Sequence, residues 1–174
     1  RPSEPPSQRR SLSSAPRCWP LSIVCRSPIG RSLRSTTSKT LSRHAWKHLA
    51  FKPGSDVAML NAMLHTIVTE GLTDQQYIAG YTEGFDELAE RIKEFPPEKM
   101  EAICGIPAET LKEVARTYAR SRASLIFWGM GISQHIHGTD NARCLIALAL
   151  TTGQVRRPGT VLHPLRGQNN VQGA

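Results

Sequence analysis

The sequence predicts an α/β domain, on three observations. Amphipathic helical stretches follow one another from residue 56 to about residue 120. A short unbroken apolar run, SLIFWG at residues 124–129, then breaks the helical period. A glycine-bearing loop, GMGISQHIHG, leads out of that run into a further apolar helix. A continuous apolar run bounded by glycine suits a parallel strand buried on both faces. Helices, strand, loop and helix in this order belong to an α/β layer architecture. In such folds ligands bind at the C-terminal end of a strand and on the loop that follows it.

Each element has a local cause. Pro53-Gly54 makes a turn, Ser55 or Asp56 caps the helix after it, and Val57, Leu60, Leu64, Ile67 and Val68 recur at helical spacing until Gly71 stops them. A shorter helix over residues 74–80 is capped by Thr73. In EGFDELAERIKEF, Phe85, Leu88, Ile92 and Phe95 share one face and the acids lie opposite. Pro96-Pro97 breaks the chain, and Pro97, with its dihedral already set, starts a helix over 98–104 that Gly105 closes. PAETLKEVARTYARS turns Leu111, Val114, Ala115 and Tyr118 inward. The helix TDNARCLIALALTTG is capped by Thr139 or Asp140, is apolar along 144–150, and ends at Gly153. His135 and His137, in the loop before it, are expected on alternate sides of extended chain.

The first forty residues are of another kind. They hold ten Ser, seven Arg and six Pro, and so many prolines leave no room for a helix or a ladder. Three readings stand for this stretch: a targeting peptide, which the prolines spoil as an amphipathic helix; a disordered linker; or out-of-frame text from GC-rich DNA, the reading favoured. The division expected is therefore 1–40, disordered or out of frame, and 41–174, the α/β domain.

The formal net charge of +8 invites a nucleic-acid partner, but its placement opposes one. Residues 1–55 carry eleven Lys/Arg against Glu4 alone, and residues 56–174 carry eleven against thirteen acids. A nucleic-acid domain spreads its basic residues over a folded face and often adds stacking aromatics, and aromatics here are 6%. The expectation is no nucleic acid. No apolar stretch reaches the ~18 residues that a membrane span requires. The cysteines at 18, 25, 104 and 144 form no C-x-x-C pair, so no metal site built from this chain alone is expected. Cys104 and Cys144 read as small buried hydrophobes of an intracellular, cytoplasmic protein, with the periplasm as the alternative.

Three stretches hold more polarity or glycine than packing needs. PGSD sets a hydroxyl and a carboxylate at a helix start, for capping or for a ligand. The glycines of GMGISQHIHG let a backbone approach a flat or phosphorylated ligand closely, or simply turn a strand into a helix. RGQNNVQGA offers a guanidinium with five donors and no carboxylate nearby in sequence, beside amides that donate and accept; an unstructured polar end is the plain alternative.

Taken together, FKPGSDVAMLNAM, YIAGYTEGF, WGMGISQHIHGTDNARCLIALALTTG and HPLRGQNNVQGA resemble the catalytic subunit of molybdenum or tungsten formate dehydrogenases, in the molybdopterin oxidoreductase superfamily. The resemblance implies a part of that fold's nucleotide-binding-like α/β domain, and oxidation of formate to carbon dioxide at a bis-molybdopterin guanine dinucleotide centre. By the same resemblance Gly54, Ser55 and Asp56 hold a guanine, since an aspartate accepts from its N1–H and amino group. Met130, Gly131 and Gln134 contact the cofactor near its pterin, Gln168 braces it, and Arg166 orients the formate carboxylate as the catalytic cation. Electron-transfer subunits and an iron–sulfur cluster belong to the intact enzyme, the cluster's ligands lying outside this chain. The nitrate reductases share the MGxxQHxxG pattern and are the alternative enzyme; an inert gene fragment is the alternative from another class.

The sequence also departs from the family it resembles. The metal-bound cysteine or selenocysteine of such enzymes precedes the matched region, and the stretch over 1–40 stands where a strand and an Asp-Pro-Arg turn are expected. Gln154, Arg156 and Val161 stand where the family usually has Asn or Gly. An internal fragment with a frame slip near residue 40, inactive by itself, is the expectation.

Overall fold

The helix at the centre of the molecule, α1 (Asp56–Thr69), is apolar on more than one stripe. Met59, Leu60, Ala62, Met63, Leu64 and Ile67 are all buried, because α4 (Pro97–Cys104), α5 (Ala108–Arg120) and α7 (Gly138–Thr151) pack on it from different sides. Each fully buried side chain of that size contributes about 1.5–3 kcal/mol of transfer free energy. Val57 and Val68, counted on the inward face from the sequence, are only half-buried, and the two methionines take their place. The computed structural model describes residues 45–165. The Ser/Arg/Pro-rich segment over 1–40, and Arg166 and Gln168, lie outside the described residues.

The remaining elements are α2 (Gln75–Tyr81), α3 (Phe85–Ile92), β1 (Leu125–Trp128), the single turn α6 (Met130–Ser133) and β2 (Val161–Pro164). Several boundaries follow the expected chemistry. Pro97 occupies the first turn of α4, and Gly105 ends it in the left-handed region at φ 77°. Leu111, Val114, Ala115 and Tyr118 of α5 all point inward. Between α1 and α5 the Arg116 guanidinium forks onto Glu70, with Nε donating to Oε2 at 2.8 Å and Nη2 to Oε1 at 2.6 Å. Lys112 joins α5 to Glu98 of α4 at 2.6 Å.

Other expectations are corrected. Asp74, not Thr73, caps α2: its Oδ1 accepts the Tyr77 N–H at 2.9 Å, while the Thr73 hydroxyl accepts from the Gln75 side chain. Ser55 stands at the cap position of α1, but its hydroxyl donates to the Lys52 carbonyl at 2.5 Å. At α7 the cap position is His137, without a side-chain cap, so neither Thr139 nor Asp140 starts that helix. His135 and His137 sit in a tight turn rather than extended chain.

β1 pairs in parallel with β2, Leu125 opposite Val161 and Trp128 opposite Pro164. A parallel pair requires a crossover, which α7 supplies. The strand is not buried on both faces as expected. Ile126 is covered, but Leu125 is 37% and Phe127 48% exposed, since the described elements pack on one face of the sheet only.

The three departures from the family pattern each have a structural setting. Gln154 is 2% exposed; its Nε2 donates to the Ser121 carbonyl at 2.8 Å and its Oε1 accepts the Ser124 N–H at 3.0 Å. The amide thus ties the end of α7 to the start of β1. Arg156 has φ 62°, the positive value at which a side chain is strained and glycine is not. Val161 opens β2, where a β-branched residue fits.

Candidate functional site

β1 ends where ligands of α/β folds collect, and a cavity of about 220 Å³ lies there. Ile126, Phe127 and Trp128 form its strand wall, Met59 and Leu60 of α1 and Leu145 of α7 its helical walls, and Gly129, Gly131, Ile132 and Leu165 the rest. The lining side chains are largely apolar, and among the described residues the Trp128 indole N–H and the main chain are the polar groups offered there. Gly131 is the open point of the wall: a Cβ added there meets no atom within 4 Å. Gly131 also lines the cavity and has no side chain, which leaves its backbone open to close approach by a flat group. At the rim, the Leu165 N–H donates to the Trp128 carbonyl at 2.6 Å, fixing residue 165 beside the end of the strand.

The residues singled out from the sequence divide accordingly. Gly131 lines the cavity; Met130, 50% exposed, begins α6 next to it, and Gln134 ends that turn with an exposed side chain, its N–H on the Met130 carbonyl at 2.8 Å. Gly54, Ser55 and Asp56 do not line the cavity. Gly54 is exposed at φ 77°, Ser55 is occupied with Lys52, and Asp56 is 2% exposed and engaged within the protein. Asp56 does precede Met59 and Leu60 by three and four positions, one turn earlier on the same face. Arg166 follows Leu165 directly in the chain and Gln168 two positions later, both outside the described residues.

Several lining residues were not found from the sequence. Met59, Leu60 and Leu145 are indistinguishable there from core residues. Asn141 also escaped notice, although an asparagine among buried apolar positions of α7 was a signal; its Nδ2 donates to the Ile132 carbonyl at 2.9 Å. The two helical cysteines carry no reactive chemistry: Cys104 is buried, and burial pushes the half-buried Cys144 thiol up to about 11. Among the described residues no cluster of three or more His, Cys, Asp or Glu is placed to hold a metal ion, and no helix is long and apolar enough to cross a membrane.

A helical layer on a parallel strand pair, with a glycine wall at the strand's C-terminal end, is the ground plan of a nucleotide- or cofactor-binding α/β protein. The family model described as molybdopterin oxidoreductase matches residues 31–174, and the chain belongs to that family. The match begins within the segment read from composition as disordered or out of frame. Formate dehydrogenase H of Escherichia coli (strain K12) is 43% identical over 133 residues, which cover 76% of this chain and 19% of that protein. The F420-dependent formate dehydrogenase subunit alpha of Methanocaldococcus jannaschii is 43% identical over 127 residues, 73% of this chain and 19% of that protein. A nitrate reductase of Synechocystis is 39% identical over 126 residues, covering 72% and 18%. Among solved structures, the acetylene hydratase of Pelobacter acetylenicus superposes with a TM-score of 0.67 at 24% identity, over 70% of this chain and 17% of that one; that likeness is one of fold. The chain thus spans about a fifth of the length of the curated relatives it matches. The expected fold class and family hold, and the family brings a molybdopterin cofactor with it.

Proposed function

We propose that this chain forms part of the catalytic subunit of a formate dehydrogenase, in which formate is oxidised to carbon dioxide, a proton and two electrons. The observation that carries the reading is the cavity at the end of β1, open over Gly131 and bounded by Leu165, in a chain of this family. The cofactor is read as a bis-molybdopterin guanine dinucleotide carrying molybdenum or tungsten; when bound, it supplies the acceptor for the two electrons. An iron–sulfur cluster and electron-transfer subunits, held by parts of the enzyme beyond this chain, take them onward.

The protein's own part is binding and electrostatics. The bare main chain of Gly131 accepts the flat face of a pterin, with Met130 and Gln134 flanking it and Gln168 bracing it. Arg166, next after a residue that lines the cavity, pairs with the formate carboxylate as a guanidinium fork does. The guanine-binding role of Gly54, Ser55 and Asp56 rests on the resemblance. Asp56 is 2% exposed, so engaging a guanine requires its carboxylate to be uncovered.

The test is Arg166→Ala in the full-length enzyme. The expected result is a loss of roughly 10²–10³ in formate turnover with the molybdenum content unchanged; near-wild-type turnover removes Arg166 from the chemistry. The identity to a nitrate reductase supports a second reading. Parallel assays with formate and nitrate as substrates on the same preparation separate the two.

A further inference from the structure

Asn141 is a buried amide on an apolar helix face. It lies in the first turn of α7, is 2% exposed, and stands in register with Leu145 and Leu148, both buried. An amide in such a position is costly unless hydrogen-bonded, and a leucine fills the core as well. Its Nδ2 instead donates to the Ile132 carbonyl. That carbonyl belongs to α6, and the last carbonyls of so short a helix have no partner within it. Ile132 lines the cavity with Gly131 and Trp128, and Leu145, one turn beyond Asn141, lines it from α7. Gly138 closes the same junction: a Cβ there would lie 2.0 Å from the Ser133 carbonyl oxygen, so the two backbones abut.

We propose that Asn141 is a positioning residue whose side-chain amide holds the α6 turn where the cavity stays open and the Gly131 wall accessible. The inference rests on the reading of that cavity as the cofactor site and deepens it; Asn141 acts through the Ile132 carbonyl. The contact is directional. A carbonyl needs a donor, which an amide or a protonated carboxyl supplies, and which a carboxylate or a hydrocarbon does not.

The chain has three tryptophans, and Trp128 lines the cavity. Changing Trp19 and Trp46 to Phe in the full 174-residue chain leaves Trp128 as the single tryptophan, excited selectively over the three tyrosines at the red edge of the absorption band. Acrylamide quenching of Trp128 is then compared in this parent and in Asn141→Asp and Asn141→Leu, each at about pH 7.5 and about pH 4, on either side of the titration of a carboxyl that burial raises above its ordinary value of about 3.9. In the Asp variant at the higher pH, the quenching constant rises roughly twofold as the turn opens. At the lower pH the neutral carboxyl donates again, and quenching returns to the parent's value at that pH. The Leu variant stays raised at both. Recovery on acidification is the signature that loss of packing alone does not produce.

Should the Asp variant not fold at the higher pH, the Leu variant, which adds no charge, decides by itself. Parent-like quenching in the Leu variant overturns the inference. So does an excess in the Asp variant that persists at low pH. No cofactor enters this measurement, so its failure leaves the cofactor reading standing. A normal response together with a full-length enzyme that binds no molybdopterin sinks that reading instead.

Discussion

Tyr118 sets a phenol in the middle of the helical core, 1% exposed, with no hydrogen-bond partner of normal geometry for its hydroxyl among the described residues. Burial pushes its titration up to about 12, and Thr152, which lies beside it, directs its own hydroxyl to the Leu148 carbonyl at 2.8 Å. A buried hydroxyl without a partner loses its hydration for no return, so Tyr118→Phe is expected to leave stability unchanged or raise it by up to about 1 kcal/mol. Urea unfolding checks this: a loss of about 1 kcal/mol or more would mean that the hydroxyl is bonded after all, to Thr152. That Tyr118 points inward was legible from the helical period of α5. That its hydroxyl goes unpaired was not, because satisfaction depends on residues such as Thr152 brought near only by the fold. The clearance at Gly138 was hidden for the same reason, since it is set by the carbonyl of Ser133.

Between α7 and β2 the backbone at Arg156 adopts a left-handed conformation that costs an ordinary residue about 1–2 kcal/mol. The arginine is exposed. Arg156→Gly is therefore expected to stabilise the chain by about 0.5–1 kcal/mol, the relief being offset in part by the flexibility glycine adds to the unfolded state. A drop in the thermal midpoint would show that the arginine makes a compensating contact. Element by element, the sequence was most readable where a residue has one conformational use, as at Pro97 and Gly105 around α4. It was least readable at caps, where Thr73 and Asp74 are both good candidates and only the Tyr77 N–H decides between them. The four-residue α6 was missed because one turn has no period to detect. The exposure of β1 was missed because SLIFWG has the composition of a strand covered twice.

Over the whole molecule, three groups couple stability to pH in one direction. The hydrogen bond from Arg116 holds Glu70 below the usual carboxylate range, and that from Lys112 does the same for Glu98. Burial lowers His65 on α1, against the opposing pull of Glu98. All three bind fewer protons folded than unfolded, so their contribution is complete above about pH 7 and is lost on acidification. His65 is lost first, below about pH 6.5, and the carboxylates further down, near pH 4. The urea midpoint should fall between about pH 7.5 and about pH 5, and His65→Gln should flatten that upper part of the profile. A midpoint that does not move over this range would refute the assignment of His65. The α/β class and the glycine wall at Gly131 were legible in the sequence. The cavity was not, because α1, β1, α6 and α7 each contribute only a few side chains to it.

The parallel ladder has a consequence for the order in which the chain organises itself. Leu125 meets Val161 only after the whole of α7 has been laid down between them, whereas α4 and α5 adjoin in sequence and touch. Loop-closure entropy must be overcome before such a distant pairing gains its first hydrogen bond. The α4–α5 pair can therefore form from local contacts, whereas the rim on which Leu165 rests, like the seat of α7 on α1, waits for a longer closure.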